Sequence, residues 1–158
     1  GTVGVLEVRG PNVFAGYWEM PEKTADEFRD DGFFITGDLA TMDADGRVTI
    51  VGRAKDLVIS GGYNVYPKEV EEQLDLMHGV KESCVIGVPD RDLGEAVTAI
   101  VVPDGTAEVS LGVAQAFLVE KLAKFKQPKS LIVVDELPRN TMGKVQKKSL
   151  REQFGAAS

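Results

Sequence analysis

The chain has 158 residues, of which 43% are hydrophobic and 27% charged, the balance of a folded globular protein rather than a disordered one. Its formal net charge of -7 excludes a nucleic-acid role built on a basic face, and its apolar runs are too short to span a bilayer. Cys84 is the single cysteine, so an internal disulfide is excluded; with no apolar leader, the expected setting is cytoplasmic.

Val3 to Arg9 alternates as a strand does. A strand this early, with no starting Met, reads as a piece of a longer chain. Pro21 to Phe28 reads as a short helix capped near Thr24. Phe33 to Ile35 is strand-like, and Asp45-Gly46 between Leu39–Met42 and Val48–Val51 signals a hairpin. A second hairpin is expected where Gly61-Gly62 separates Leu57–Ser60 from Tyr63–Tyr66, because paired glycines accept the positive φ of a tight turn.

Pro67 opens a helix with Val70, Leu74 and Met77 on its apolar stripe, and Glu69, Glu71, Glu72 and Asp75 toward water, ending at Gly79. Strands follow at Ser83–Val88 and Ala96–Val102, then a helix from about Ser110 to Phe125, stopped by Pro128. Leu131–Val134 is a strand, Leu137–Gly143 a loop, and a last helix starts near Val145. This order is an α+β class: from Leu57 onward, a short hairpin and a three-stranded sheet flanked by helices, preceded by a separate β-rich piece.

Few residues suggest chemistry by type alone. His78, the single histidine, sits by Gly79 at a helix end, where the helix C-terminus favours its charge. Cys84 lies in a strand and reads as buried packing. With one His and one Cys far apart, no metal site is expected.

Three segments carry more. They are Gly16-Tyr17-Trp18 leading to Thr36-Gly37-Asp38; Val51-Gly52-Arg53 through Gly61-Gly62 to Glu71; and Pro138-Arg139-Asn140-Thr141-Met142-Gly143-Lys144-Val145. In this order and spacing the sequence resembles the adenylate-forming superfamily of acyl-CoA synthetases, peptide-synthetase adenylation domains and luciferases. The resemblance covers nearly the whole chain and is greatest toward the malonyl-CoA synthetases. It implies that residues 1–54 end a large AMP-binding domain and that 55–158 form the C-terminal lid. It also implies ATP, Mg2+ and coenzyme A as cofactors, with a small carboxylate as substrate.

By the same resemblance, Lys144 is the catalytic lysine of adenylation. A compact ammonium suits bridging a carboxylate and an α-phosphate; by sequence alone, Lys144 is also one of a basic group with Lys147, Lys148 and Arg151 at a helix start. Asp38, expected in a tight turn, and Arg53 match residues that reach the ribose hydroxyls. Lys55 matches the hinge about which the lid rotates between half-reactions. Gly61 and Gly62 match the loop beside the pantetheine tunnel, though as a turn pair they need no ligand. Asn64 falls where relatives carry longer side chains, and its role stays open.

The Gly- and Ser/Thr-rich phosphate loop of the family is missing, as are its acyl and adenine segments, so this chain by itself is expected to be inactive. A peptide-synthetase branch is a rival, disfavoured by an end at Gly155-Ala156-Ala157-Ser158 with no carrier segment; a luciferase is disfavoured by the lack of a peroxisomal address there. A rival of another class is a substrate module. There a GNAT-type acetyltransferase modifies Lys144, a deacetylase restores it, and loss of the charge stops adenylation. Apolar residues at Val5, Leu6, Phe33 and Phe34 are expected to lie open in the first piece.

Overall fold

A computed structural model describes residues 1–155. The expectations drawn from residues 156–158 lie outside the described residues. The chain divides into two compact units, Gly1–Lys55 and a second that begins at Asp56.

The first unit is a three-stranded antiparallel sheet in the order β1-β2-β3, formed by β1 (Gly4–Val8), β2 (Phe34–Met42) and β3 (Val48–Arg53), with one short helix, α1 (Pro21–Glu27). The β2–β3 hairpin turns where the sequence indicates: Asp43 Oδ1 accepts from the backbone N–H groups of Asp45 (3.0 Å) and Arg47 (2.8 Å), and Gly46 takes φ +81°. Such side-chain turns are a habit of Asp. Pro21 stands in the first turn of α1, where a missing N–H costs nothing. Thr24 does not cap this helix; it sits inside it, its Oγ1 donating to the Met20 carbonyl and accepting from Tyr17 N–H, both at 2.9 Å.

The core here is thin. Leu39 and Ala40 are buried, and the rest is an aromatic cluster in which the Phe14 ring stands edge-on to Tyr17, Phe28 and Phe34 at 5.1 to 5.5 Å. Such edge contacts add to the burial of the rings. Phe33 lies under the Arg9 guanidinium at 4.5 Å. Of the four residues expected to lie open, Val5 is half exposed, while Leu6, Phe33 and Phe34 are partly covered.

The second unit is built on one five-stranded sheet. β4 (Val58–Ser60) and β5 (Tyr63–Val65) form the Gly61-Gly62 hairpin, with φ +58° and +81° at the two glycines. β6 (Val80–Asp90) and β7 (Gly94–Pro103) pair along their lengths, β8 (Ser130–Val133) runs parallel to β7, and the pairing of Ser60 with Gly94 joins the hairpin to the three other strands. The strands read as nearly continuous apolar runs because both faces are covered. Val85, Val97, Ala99 and Val101 face α2 (Pro67–Leu74) and α3 (Leu111–Leu118); Cys84, Ile86, Val88, Ile100 and Val102 face the layer holding Leu137 and Leu150 of α4 (Lys147–Phe154).

Three sequence expectations shift. α3 starts where Ser110 caps it, but ends at Leu118 rather than Phe125. The chain then turns so that Leu122 enters the core and its carbonyl accepts from Gln127 Nε2 at 3.0 Å. α2 stops at Leu74, so Met77 reaches the core from a turn, and exposed His78 meets Thr106 Oγ1 at 3.4 Å rather than a helix end. Glu71 does not face water. Its Oε1 takes Lys147 Nζ at 2.6 Å and the Val85 N–H at 2.7 Å, while Lys147 Nζ also donates to the Val85 carbonyl at 3.2 Å. β6 is a sheet edge, and this pair satisfies an edge residue that would otherwise invite another strand.

Among the described residues, no helix is long and apolar enough to cross a membrane.

Candidate functional site

In the first unit, cross-strand register does the positioning. Asp38 and Arg53 are direct partners across β2 and β3, and Arg53 Nη1 donates to Asp38 Oδ1 at 2.8 Å. Asp38 therefore lies on a strand, not in the tight turn expected. Gly37 takes φ +73° within that strand, and Thr36 holds the twist: its Oγ1 donates to the Leu6 carbonyl at 2.8 Å and accepts from Asp38 N–H at 3.1 Å. Half of the Arg53 side chain stays exposed, leaving donors free for a second acceptor.

Beside this pair opens a cleft of about 470 Å³ lined by Tyr17, Lys23, Glu27, Thr36, Gly37 and Arg53, with Lys55 at its rim. The Tyr17 hydroxyl donates to Glu27, and that bond, then burial, raises the phenol above its ordinary range. Lys23 lies over the Tyr17 ring at 4.1 Å. Sequence reasoning missed Lys23 and Glu27, which lie on a helix with nothing in its pattern to mark a cleft. Lys55 itself stands in a 3-10 turn, Ala54–Asp56, at the division between the two units.

In the second unit, Lys144 stands near the tip of a small hairpin whose ends meet at the Arg139–Val145 bridge. Asn140 ties the loop at both ends. Its Oδ1 accepts from the N–H groups of Met142 (3.0 Å) and Lys144 (2.9 Å), and its own N–H reaches the Lys144 carbonyl at 2.9 Å. Gly143, at φ +78°, makes the reversal. The four basic residues that the sequence groups together separate here. Lys147 is held by Glu71, Lys148 pairs with Glu152 at 3.7 Å, and Arg151 pairs with Asp56. Lys144 is exposed and has no ion-pair partner among the described residues.

A second cleft, of about 400 Å³, adjoins the other glycine hairpin and is lined by Ser60, Gly61, Tyr63, Leu93, Lys124, Phe125 and Lys129. The rings of Tyr63 and Phe125 stack at 4.7 Å with 26° between planes, and two lysines stand at the rim. The backbone N–H of Gly61 is fixed to the Leu93 carbonyl at 2.8 Å. A side chain at Gly61 would meet Leu93 at 3.4 Å, while Gly62 has open space around it. Tyr63, Phe125, Lys124 and Lys129 were missed from sequence because nothing local links residues so far apart.

Chemically, the first cleft is lined by the Arg53 guanidinium, the Lys23 ammonium and the Tyr17–Glu27 pair, and the Asp38 carboxylate bonded to Arg53 completes an acceptor and donor pair that fits a vicinal diol. The described residues hold no group of three or more His, Cys, Asp or Glu suited to a metal ion, and no step is assigned to Mg2+. The second cleft pairs flat apolar rings with cations, a set that fits a purine nucleotide bearing phosphates.

Residues 69–144 match the AMP-binding enzyme C-terminal domain. A methyl-dioxo-octahydroindenyl-propanoyl:CoA ligase of Rhodococcus jostii is 49% identical over 97% of this chain and 30% of its own length. A feruloyl-CoA synthase of an Amycolatopsis species is 46% identical over 98% of this chain and 31% of its own. The ATP-bound crystal structure of MatB from Rhodopseudomonas palustris superposes with a TM-score of 0.92 at 61% identity, covering 98% of this chain and 31% of that one. The chain thus spans about a third of the length of the relatives it matches. It belongs to the adenylate-forming, AMP-binding enzymes and corresponds to the C-terminal part of their acyl-CoA ligase members.

Proposed function

We propose that this chain works as the C-terminal part of an ATP-dependent acid–CoA ligase. In the first half-reaction a carboxylate oxygen attacks the α-phosphorus of ATP, giving acyl-AMP and pyrophosphate. In the second, the thiol of coenzyme A attacks the acyl carbon, losing its proton and expelling AMP. The observation that carries this reading is Lys144: a cation with no ion-pair partner among the described residues, on a loop whose backbone is pinned by Asn140, near Lys147 and Arg151, which are both paired.

The roles follow from the chemistry of each group. Lys144 stabilises charge shared between carboxylate and α-phosphate as they approach. Asp38 accepts from the ribose hydroxyls and Arg53 orients it while donating to the same diol. Lys55 absorbs the backbone change between half-reactions, with residues 1–54 moving with the large domain and 55–158 as the lid. Gly61 and Gly62 let the thin pantetheine arm run close to the backbone, and the Tyr63–Phe125 shelf with Lys124 and Lys129 receives the nucleotide end of coenzyme A. Malonate or another small acid is the proposed substrate, from the likeness of residues 60–70 and 138–148 to malonyl-CoA synthetases. A cytoplasmic site is in keeping with the lone, buried Cys84.

The test uses the full-length ligase and follows each half-reaction for wild type and Lys144→Ala with malonate and other carboxylates. Acyl-AMP formation should collapse while thioester formation from supplied acyl-AMP survives; persistence of both overturns the assignment. The exposure of Lys144 also favours a second reading, in which a GNAT-type acetyltransferase silences the ligase there and a deacetylase restores it. Mass analysis after incubation with such an enzyme should place the acetyl group on Lys144; labelling of other surface lysines instead would sink that reading.

A further inference from the structure

The hairpin of Lys144 is rigid within itself through Asn140, but rigidity alone does not aim it. Arg139 supplies a tie to the sheet. Its Nη1 donates to the Gly143 carbonyl at 2.7 Å, and its Nη2 donates to the carboxylate of Glu82. Glu82 lies on β6, in register with Val102 of the central strand β7. One planar guanidinium therefore spans from the sheet to the peptide that joins Gly143 to Lys144. The two bonds leave from different nitrogens of one fork, so they fix an orientation as well as a distance.

This ion pair is poorly placed for stability. The side chains of Arg139 and Glu82 are 43% and 28% exposed, and pairs so open to water add little to folding. The hydrogen bond to Gly143 is likewise exposed. What it does fix is the position of the residue before the lysine.

We propose that Arg139 and Glu82 are positioning residues for Lys144, holding the Gly143–Lys144 peptide against β6 so that the ammonium is aimed for adenylation. This rests on Lys144 being the adenylation lysine. Neither side chain touches the reacting atoms; each acts through the loop.

The experiment uses the full-length ligase with Arg139→Ala, Arg139→Lys, Glu82→Gln and Lys144→Ala, following acyl-AMP formation, thioester formation from supplied acyl-AMP, and the urea midpoint. A shift of about 1 Å in a catalytic group costs on the order of 100-fold in rate, so Arg139→Ala should lower kcat for adenylation by roughly 10- to 100-fold, with KM for ATP little changed. Thioester formation should stay within about twofold, because it does not use Lys144 in the proposed mechanism, and the midpoint should hardly move. Arg139→Lys can reach Glu82 or Gly143 but not both, and should recover only part of the loss. Glu82→Gln keeps the side-chain volume, leaves the Gly143 bond in place, and should cost roughly 3- to 10-fold, since a neutral acceptor binds the guanidinium about half as strongly; it serves as the decisive variant if Arg139→Ala fails to fold. Unchanged adenylation in Arg139→Ala or, failing that, Glu82→Gln, beside collapse in Lys144→Ala, overturns the proposal and spares the reading of Lys144. An equal loss in both half-reactions also overturns it, as the mark of a merely structural role. Normal adenylation in Lys144→Ala removes the reading and the proposal together.

Discussion

Replacing Glu71 by Ala tests whether a side-chain pair, rather than another strand, completes the edge of the sheet. The carboxylate meets Lys147 Nζ at 2.6 Å and the Val85 N–H at 2.7 Å, and the two side chains are 18% and 19% exposed. Breaking a fully buried pair costs about 3–5 kcal/mol, and stranding a buried N–H costs about 1–3 kcal/mol. Water reaches this pair in part, so the expected loss is roughly 2–3 kcal/mol. With a urea dependence of about 1.2 kcal/mol per molar for a unit of this size, the midpoint should fall by about 2 M. Glu71→Gln keeps an acceptor for Val85 and should lose about 1 kcal/mol. Lys147→Met on the Glu71→Ala background should cost less than on wild type, the difference being the coupling of the pair. The single tryptophan, Trp18, lies in the other unit, so fluorescence would follow the wrong unit. Circular dichroism and amide exchange at Val85 are the proper readouts. A loss under 0.5 kcal/mol, about the scatter of surface substitutions, with unchanged protection at Val85, would refute the edge-capping account.

Other perturbations have equally definite expectations. Burial pushes the Cys84 thiol up to about 12, from 9.0 in the open chain, so above pH 9 the unfolded state sheds a proton that the folded state keeps. Stability should therefore fall as pH rises through that range, by about 2 kcal/mol at pH 10.5 from this group, and urea melts of Cys84→Ala should lack that part of the decline. Gly62→Ala meets no neighbouring atom but must hold φ +81°, so it should cost about 1 kcal/mol in a urea melt. Lys129→Ala in the full-length ligase should raise KM for coenzyme A by about tenfold through one lost charged contact and leave adenylation unchanged; an unaltered KM would remove the second cleft from the coenzyme A path. The 158-residue chain by itself should show no ATP-dependent turnover in a pyrophosphate-release assay, and clear turnover would contradict its place as one part of a larger active site.

Local chemistry made much of the architecture readable. Gly61-Gly62 and Asp45-Gly46 are turns for which few residues substitute, and Pro67 opens a helix that no other reading accommodates. The helix ends were read less well. Sequence periodicity carried α2 to Gly79 and α3 to Phe125, because Met77, Leu122 and Phe125 keep the apolar spacing after the helices have ended. Spacing of apolar residues reports what is buried, and a turn can bury a side chain as well as a helix can.

The sequence by itself determined the α+β class, the two hairpins and the apolar strands of the sheet, since each depends on residue type and short-range spacing; Asp38, Arg53 and Lys144 stood out only through resemblance to a family. Tertiary structure alone decided which charges are spoken for. Glu71 and Lys147 pair across 76 residues, Arg151 with Asp56 across 95, and Arg139 with Glu82 across 57. Such partners are chosen by how helices and loops settle on a sheet, over distances at which the chain keeps no memory of its order. Among the described residues, Lys144 stands apart from Lys147 and Arg151 because the fold pairs those two with distant carboxylates and leaves Lys144 exposed.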